Sequence, residues 1–286
     1  MMTRKYINAT PNTWCPGCGN FGIQFAFKGF FEKLENEGYP IDNIVLVTGI
    51  GCHAKIADYL DVNTFYSIHG RTLPAAIAIK LANPDLKVIC CAGDGDAYAE
   101  GLDHLIFAAK RDVDVTMIVH DNRVYGLTTG QYTPTSPRGF RGKSTPTGVL
   151  EDPLNPLDLV FHSGATFIAR GYSRQLEQLK ALIRQGFDHP GFAFIDTLQV
   201  CASYNNLYDY YNARTYELSD HDPSDRAKAQ EKISEWDYNS DAPIALGVFY
   251  REEGVTPYHE RALQGRKREE EVDRKAEIAK ILESKI

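Results

Sequence analysis

Short, continuously apolar segments alternate along the chain with longer segments in which apolar residues recur every three or four positions. The short segments are rich in β-branched residues, which is typical of strands buried in a parallel sheet. These predicted strands are 43–49, 64–70, 87–93, 114–122, 164–171 and 192–199. The predicted helices are 21–38, 72–84, 96–112 and 173–187. Such alternation predicts βαβ units, and hence an α/β fold with a doubly wound, mostly parallel sheet and helices on both faces.

Two segments lack this periodicity, and the tail differs from both. Residues 129–157 are rich in Thr, Pro and Gly, which predicts a long functional loop. Residues 202–263 are rich in Tyr and Asp, and we expect an irregular extension there. Residues 265–286 are charged on all sides, which favours a solvated or partner-facing helix. The chain therefore divides into a main domain, 1–201, and a C-terminal wrap with a charged tail, 202–286, that belongs to the same domain.

The composition is that of a soluble globular protein, since 43% of the 286 residues are apolar and 24% are charged. The net charge of −7 argues against a nucleic-acid binder, because a phosphate backbone attracts clustered Lys and Arg. No apolar run approaches the roughly 18–20 residues that span a bilayer, and the N-terminus has no apolar stretch of a signal peptide. We expect a cytoplasmic protein that does not enter the membrane.

A single carboxylate between two glycines follows one of the predicted strands. Gly93-Asp94-Gly95 lies between strand 87–93 and helix 96–112, at the edge of a doubly wound sheet where ligands bind. Glycines permit a sharp turn and close approach of the backbone to a ligand, and a helix N-terminus favours phosphate. Because Asp94 would repel a bare phosphate, the pattern asks for a divalent cation such as Mg²⁺. Taken alone, the tripeptide is also compatible with an ordinary turn.

Further oxygen ligands follow the next predicted strand. Asn122 ends strand 114–122 and offers an amide oxygen, and the backbone carbonyl of Val124 offers another. The order of strand, Gly-Asp-Gly, helix, strand and Asn over residues 93–122 resembles the thiamine-diphosphate motif. In that family the Asp and the Asn hold the Mg²⁺ that binds the diphosphate of the cofactor. The resemblance implies magnesium-bound thiamine diphosphate at this edge of the sheet.

The chain has six cysteines, and four of them are candidates for a metal site. Cys15-Pro-Gly-Cys18 is compatible with a zinc knuckle, a redox dithiol or half of an iron–sulfur site. Cys52 and Cys201 follow strands that end at the same edge as the Gly-Asp-Gly turn. Four thiolates suit a [4Fe–4S] cluster or Zn²⁺, and a nearby thiamine site favours the cluster because only the cluster accepts electrons. The other two lie in an apolar strand as expected buried thiols, namely Cys90 and Cys91.

Together these segments resemble the β subunit of 2-oxoacid:ferredoxin oxidoreductases. The matching stretches are WCPGCG, GIGCHAK, IHGRTLPAAIAIKLANPDLKVI, GDGDAYAEG, DNRVYGLTTGQYTPTSP and TLQVCASYN, within residues 12–255. The resemblance implies a thiamine-diphosphate-binding fold, a [4Fe–4S] cluster, a partner α subunit and ferredoxin, in an αβ or (αβ)₂ assembly. The implied reaction is the coenzyme A-dependent oxidative decarboxylation of a 2-oxoacid to acyl-CoA and CO₂.

The resemblance also implies roles for individual residues. The implied cluster ligands are Cys15, Cys18, Cys52 and Cys201. The implied Mg²⁺ ligands are Asp94, Asn122 and the Val124 carbonyl. The residues implied to line the cofactor are Ile50, Gly51, Cys52, His53, His69, Gly95, Asp96, Gly126 and Leu127. The residues implied to act at the catalytic centre are Lys55, His69, Leu127 and Thr129. We expect the Lys55 ammonium to balance negative charge of the substrate or the cofactor.

One position departs from the family pattern and bears on the substrate. Some relatives carry Lys where this chain has Thr129, in Gly-Leu-Thr-Thr-Gly-Gln. A lysine there would suit the second carboxylate of 2-oxoglutarate, whereas Thr129 offers only a hydroxyl. The CPGCG form and the short chain favour 2-oxoglutarate, with pyruvate as the other candidate. The missing positive charge would then come from Arg138, Arg141 or the α subunit.

No glutamate stands in a context typical of the one that thiamine enzymes place beside the aminopyrimidine. The resemblance implies that the α subunit supplies it, and we expect this chain alone to be inactive. Two other functions remain compatible with the motifs. One is a non-oxidative thiamine-dependent lyase with a structural metal site, and the other is a zinc-stabilised nucleotide-binding or scaffold protein.

Overall fold

The computed structural model describes residues 6–263 and 274–284. Its strands are β1 (Ile44–Thr48), β2 (Asn63–Tyr66), β3 (Lys87–Gly93), β4 (Val115–Asp121), β5 (Phe167–Tyr172), β6 (Phe192–Leu198), β7 (Thr215–Glu217) and β8 (Ile244–Arg251). Its helices are α1 (Asn20–Asn36), α2 (Ile56–Tyr59), α3 (Thr72–Ala82), α4 (Leu102–Arg111), α5 (Pro156–Ser163), α6 (Leu176–Asp188), α7 (Tyr208–Arg214), α8 (Arg226–Ser234), α9 (Tyr258–Leu263) and α10 (Arg274–Glu283). A π-helical turn, Asp96–Glu100, precedes α4.

The eight strands of the described chain form one sheet in the order β2-β1-β3-β4-β6-β5-β8-β7. Neighbouring strands are parallel except β5 and β8, which are antiparallel. Strand β1 pairs with β2 on one side and with β3 on the other. The chain runs from β1 to β2 on one side, and from β3 to β4 on the other, so the connections after β1 and β3 leave in opposite directions. In such sheets ligands bind at this switch point, beyond the carboxyl ends of the strands.

Helices cover both faces of the sheet. On one face α1 and α6 bury apolar side chains such as Phe27, Phe30 and Ile183 against the strands. On the other face α3, α4, α5 and α8 do the same, with Leu105 and Leu157 among the buried residues. The predicted α/β fold with a doubly wound, mostly parallel sheet is confirmed. None of the helices in 6–263 and 274–284 combines the length and the apolar character that crossing a membrane requires.

Two predicted elements of the main domain differ from the structure. The predicted strand 64–70 ends at Tyr66, so His69 lies in the turn that follows. The predicted helix 96–112 is interrupted at Gly101, where the π-helical turn gives way to α4. A Cβ at Gly101 would lie 2.8 Å from the main-chain oxygen of Asp96, so the backbone packs too closely there for a side chain.

The expectation of an irregular C-terminal extension is wrong for most of 202–263. This segment contains α7, α8, α9 and the two sheet strands β7 and β8. Strand β8 pairs antiparallel with β5 and most of its residues are buried, so this apolar run belongs to the sheet and not to a peripheral wrap. The charged tail is helical over α10, and its residues 278–284 are exposed. The rest of that predicted tail helix lies outside the described residues.

Helix α5 was also missed, because it begins at the end of the segment interpreted as a loop. The Asn155 side chain accepts hydrogen bonds from the backbone N–H groups of Leu157 and Asp158 and so caps the first turn. Asn before Pro156 is a recognised start signal for a helix, which the Thr-, Pro- and Gly-rich composition of the loop obscured.

Candidate functional site

The carboxyl ends of β1, β3 and β4 lie side by side, and the loops that follow them enclose a cavity of about 80 Å³. Twelve of the residues assigned to the site from sequence line this cavity: Ile50, Gly51, Cys52, His53, His69, Asp94, Gly95, Asp96, Asn122, Val124, Gly126 and Leu127. Lys55 lines a neighbouring cavity, and Thr129 lies one residue beyond Thr128 at the edge of the first. Four separate loops, which follow β1, β2, β3 and β4, therefore build one site.

Asp94 is a buried carboxylate at this cavity, with only 2% of its surface exposed. Burial raises its pKa to about 6, although hydrogen bonds from the Thr133 and Thr135 side chains act in the opposite direction. The Thr135 hydroxyl donates to Asp94 Oδ2 at 3.1 Å. Ionisation of a buried carboxyl group is costly, but it becomes favourable when a cation binds to the carboxylate. Asp94 therefore fits a divalent ion.

The glycines on either side of Asp94 keep the cavity open to a ligand. A Cβ at Gly95 would lie 2.2 Å from the Tyr125 ring, and one at Gly93 would lie 2.8 Å from His53 Nδ1. No other residue type fits at either position without displacing its neighbour. The two glycines therefore allow the Tyr125 and His53 rings to pack directly against this turn.

Asp96 lines the same cavity, but its carboxylate is engaged by the protein. His69 Nδ1 lies 2.9 Å from Asp96 Oδ1, and His53 Nε2 lies 3.5 Å from Oδ2. The Gly70 N–H donates to Oδ1 at 2.7 Å. Burial acts to raise the pKa of Asp96, but the two imidazoles and this N–H outweigh it and hold the pKa well below its usual range. The contact raises the pKa of His69 in turn. Asp96 thus orients both histidines.

Asn122 and Val124 reach the cavity because the chain turns sharply between them. Arg123 has a left-handed backbone conformation, with φ of 61°, and its N–H donates to Asp121 Oδ1. The Val124 N–H donates to Asn122 Oδ1 at 3.0 Å, which holds the amide in the turn. The Asn122 carbonyl accepts from the Asn205 side chain. The turn therefore places Asn122, with its side-chain amide, and Val124, with its backbone carbonyl, at the edge of the sheet that carries Asp94.

A second cavity, of about 190 Å³, adjoins the first. Its lining includes Cys15, Cys18, Cys52 and Cys201. The two cavities share Cys52, Asn122, Gly126 and Leu127. A Cβ at Gly126 would lie 3.5 Å from the Cys201 sulfur and 3.6 Å from the Cys52 sulfur, so both thiols lie next to this glycine. The tertiary structure thus brings together cysteines that lie far apart in the sequence.

The environment of Cys18 is polar as well as buried. Burial raises the pKa of this thiol to about 12; the backbone N–H of Asn20 acts against that, and the neighbouring thiols add to it. The Gln199 side-chain N–H points to the Cys18 sulfur at 3.5 Å. Burial also raises the pKa of Cys52, against the opposing influence of Lys55.

Buried thiols with raised pKa values ionise when a cationic group binds to them, which suits metal ligation. Cys90 and Cys91 are buried in β3 as expected.

The four thiols line one cavity without forming a compact metal site. Among residues 6–263 and 274–284, no three His, Cys, Asp or Glu side chains converge tightly enough to hold one metal ion. A single zinc needs its sulfurs about 2.3 Å from one centre. The four cysteines share the lining of one cavity, but they do not form a ready-made site for one zinc ion.

Several residues of the site were not identified from sequence. Tyr125 and Thr128 line the first cavity, and Trp14 and Gln199 line the second. The predicted long loop 129–157 supplies the hydroxyls next to Asp94, but its composition does not single out individual residues. Local patterns carry no signal for such contacts, because they join residues that are far apart in the chain.

The surroundings of Thr129 also differ from expectation. Thr129 is in a left-handed conformation, with φ of 77°, and its hydroxyl accepts from Lys143 Nζ at 3.3 Å. Arg138 was one candidate for the missing positive charge, but its guanidinium is paired with Asp152 at 2.6 Å. Lys143 thus brings an ammonium next to the uncharged Thr129 side chain.

Comparisons with known proteins identify two matching families and several similar proteins. The family of the thiamine pyrophosphate enzyme C-terminal TPP-binding domain matches residues 49–197, and the C-terminal family of the pyruvate ferredoxin oxidoreductase beta subunit matches 201–267. The 2-oxoacid:ferredoxin oxidoreductase 1 subunit beta of Aeropyrum pernix is 42% identical over 91% of this chain and 84% of its own. The 2-oxoglutarate synthase subunit KorB of Methanothermobacter thermautotrophicus is 41% identical over 68% of this chain and 67% of its own.

A solved structure extends the likeness to three dimensions. The 2-oxoglutarate:ferredoxin oxidoreductase from Magnetococcus marinus, with 2-oxoglutarate, coenzyme A and succinyl-CoA bound, aligns with a TM-score of 0.87 and 30% identity. The alignment covers 98% of this chain and 96% of the other. Asp94 and Cys52 lie within the first matched region, 49–197, and Cys201 begins the second, 201–267. The two family matches and the 42% identity to the Aeropyrum subunit show that the chain belongs to the β subunits of the 2-oxoacid:ferredoxin oxidoreductases and contains their thiamine-pyrophosphate-binding domain.

Proposed function

We propose that this chain is the β subunit of an enzyme that oxidatively decarboxylates a 2-oxoacid with coenzyme A, yielding acyl-CoA and CO₂, and passes the electrons through a [4Fe–4S] cluster to ferredoxin. One observation carries the proposal: a cavity with a buried carboxylate shares a wall with a cavity surrounded by four thiols. Adjacent cofactors are what electron transfer from a thiamine centre to a cluster requires.

In this proposal Asp94, Asn122 and the Val124 carbonyl hold Mg²⁺, and the Mg²⁺ holds the diphosphate. Three oxygens on adjacent strand ends suit this hard cation. When bound, thiamine diphosphate supplies a carbon nucleophile for the 2-oxo group and takes up the electrons left by loss of CO₂. The chain's own contribution is positioning: Asp96 orients His53 and His69 toward the cavity.

Cys15, Cys18, Cys52 and Cys201 would bind the cluster. The position of these cysteines beside the proposed thiamine site supports a cluster over a single zinc ion, because only a cluster accepts electrons. The Gln199 N–H beside Cys18 is a group of the kind that tunes cluster potentials through hydrogen bonds to sulfur. Exposure of Cys15 would leave this end of the cavity open toward ferredoxin. Thiolate-bound iron suits a reducing compartment, and we assign the enzyme to the cytoplasm.

The substrate is proposed to be 2-oxoglutarate, with pyruvate as the second candidate. The Magnetococcus enzyme was solved with 2-oxoglutarate and succinyl-CoA, and several relatives are named for 2-oxoglutarate. Lys143 beside Thr129 supports a second carboxylate on the substrate. Lys55, in the neighbouring cavity, is proposed to balance negative charge on the substrate or the cofactor.

An α subunit is also part of the proposal, in an αβ or (αβ)₂ assembly. Glutamate is missing from the described residues that line the cofactor cavity. Glu100 lies at its edge, where its carboxylate accepts a hydrogen bond from the Tyr125 hydroxyl at 3.0 Å. The glutamate needed beside the aminopyrimidine is therefore assigned to the partner, and this chain alone is expected to be inactive.

The proposal is tested by anaerobic purification of the chain together with its α subunit. We expect iron and sulfide in the complex, broad visible absorbance, and coenzyme A-dependent reduction of a viologen dye with 2-oxoglutarate, pyruvate or a branched-chain 2-oxoacid. Cys201→Ala should abolish the iron signal of this chain, while the control Cys90→Ala should retain it.

Other outcomes point to the competing functions. Colourless protein with one zinc per chain would overturn the redox mechanism, and iron that survives the loss of Cys201 would assign the cluster to another subunit. Decarboxylation that needs no electron acceptor would indicate a non-oxidative lyase. Failure to bind thiamine diphosphate in the presence of Mg²⁺ would favour a zinc-stabilised scaffold.

A further inference from the structure

Thr135 contacts the Asp94 carboxylate, although it belongs to the long connection between β4 and α5. Its side chain is fully buried. Its hydroxyl lies 3.1 Å from Asp94 Oδ2 and 2.8 Å from Asp121 Oδ1. Asp121 is the last residue of β4 and is itself fully buried. One hydroxyl therefore bridges the carboxylates at the ends of two neighbouring strands.

The Thr135 hydroxyl has only one proton, so it can donate to only one of the two carboxylates at a time. Asp121 Oδ1 has a second donor, the backbone N–H of Arg123 at 3.1 Å. Asp121 therefore keeps a partner when the Thr135 proton points to Asp94. A hydrogen bond to one oxygen of Asp94 restricts rotation of the carboxylate about its Cβ–Cγ bond. Because the carboxylate is already ordered before the cation arrives, cation binding costs less conformational entropy.

Thr135 itself is held in place from the opposite side. The Arg123 guanidinium donates to the Thr135 carbonyl at 2.6 Å and also to the Tyr238 carbonyl. The same guanidinium lies 5.6 Å from the centre of the Trp236 ring. The C-terminal segment thus fixes Arg123, Arg123 fixes the backbone of Thr135, and the Thr135 hydroxyl is aimed at the carboxylates.

We propose that Thr135 is a positioning residue that orients the Asp94 carboxylate for the divalent cation. The inference rests on the proposed thiamine site, to which it adds a residue from the loop between β4 and α5. Partners that hydrogen-bond a metal ligand typically contribute about 10- to 100-fold to metal affinity. Removal of the hydroxyl should therefore weaken cation binding by about 10- to 100-fold, without loss of any ligand atom.

The test measures Mn²⁺ binding to the full-length chain at saturating thiamine diphosphate, through loss of the electron paramagnetic resonance signal of free Mn²⁺. Thr135→Val replaces the hydroxyl with a methyl group of similar size, and Thr135→Ala removes it without adding bulk. Thr135→Ser retains the hydroxyl and should bind nearly as tightly as the native chain. Ser136→Ala is the matched control, since Ser136 Oγ donates to the Arg123 carbonyl at 2.6 Å, within the same turn.

Weaker binding in Thr135→Val and Thr135→Ala, with near-native binding in Thr135→Ser and Ser136→Ala, would support the assignment. Native affinity in whichever of the two hydroxyl-free variants folds would overturn it. Equal losses in Ser136→Ala would also overturn it, because they would indicate general loosening of the turn. Cation-independent binding of thiamine diphosphate by the native chain would instead count against the proposed site, so the two failures are distinguishable.

Discussion

Asp94 and Asp96 are two residues apart and both are buried, yet the protein shifts them in opposite directions. Burial dominates at Asp94 and raises its pKa, because hydroxyl partners only partly replace water. At Asp96 the two histidines and a backbone N–H outweigh burial and lower the pKa. The same residue type thus has a raised pKa at the position proposed to bind a cation and a lowered pKa where it contacts two imidazoles.

The raised pKa of Asp94 predicts a pH dependence of cation binding. Because Asp94 holds its proton up to about pH 6, Mg²⁺ must displace that proton at lower pH. Apparent affinity for Mg²⁺ should fall by about tenfold per pH unit below this value and level off above it. Titration calorimetry across this range measures the effect, with association of Mg²⁺ and thiamine diphosphate in buffer as the control. A flat profile after that correction would show that Asp94 does not titrate against the cation.

Lys143 offers a second test at the level of one residue. Lys143→Met removes the ammonium beside Thr129, so KM for 2-oxoglutarate should rise about three- to tenfold, since an exposed charge contributes modestly. KM for pyruvate, which has no second carboxylate, should stay the same. Arg138→Met is the control, because that guanidinium is paired with Asp152. Equal effects on both substrates would remove Lys143 from substrate selection.

At the scale of elements, close packing is decided by a few small residues. Helix α1 crosses near the segment before α6, and a Cβ at Gly22 would lie 1.9 Å from the Ser173 carbonyl oxygen. Gly29, two turns further along α1, faces only the flexible Lys180 side chain, at 3.1 Å. Helical periodicity identifies both positions as helical, but only the neighbouring element distinguishes them.

This difference predicts opposite effects of the same substitution in one helix. Gly22→Ala should lower the free energy of unfolding by about 1–3 kcal/mol, because rigid backbone must move. Gly29→Ala should raise it by up to about 1 kcal/mol, because alanine favours the helix and Lys180 can yield. Chemical denaturation of both variants measures these changes. A stabilised Gly22→Ala variant would contradict the close approach of the two segments.

At the scale of the whole molecule, the C-terminal segment completes the fold. Strand β8 pairs with β5, and α8 packs on the same face as α4 and α5. Trp236 and Tyr238 stack on each other with ring centres 4.1 Å apart, and both rings lie next to Arg123 and Arg170. The site therefore depends on residues well beyond the last cysteine.

A pair of truncations tests this dependence. A chain that ends at residue 201 should not unfold cooperatively, because β5 loses β8, one of its two partner strands, and the two buried arginines lose their aromatic and carbonyl neighbours. A chain that ends at residue 263 should still unfold cooperatively, since it keeps all eight strands of the described sheet. Near-ultraviolet circular dichroism during heating reports the result. A cooperative transition in the shorter chain would show that the first 201 residues fold alone.

The amino-acid sequence by itself determined the elements of the main domain and the edge at which the chemistry lies. Strand and helix periods are local, so β1, β3, β4 and α1 could be predicted to within a few residues. The carboxyl ends of parallel strands meet at one edge, and this rule alone is enough to assign Asp94, Asn122, Cys52 and Cys201 to a common region.

Only the tertiary structure decided the strand order, the entry of β8 into the sheet and the contacts around the carboxylates. Thr135 meets Asp94 across 41 residues of sequence, and Gln199 meets Cys18 across 181. Such contacts depend on how distant segments pack, and no local pattern of apolar and polar residues encodes them. For the same reason the engagement of Asp96 by two histidines could not be predicted from its place after the Gly-Asp-Gly turn.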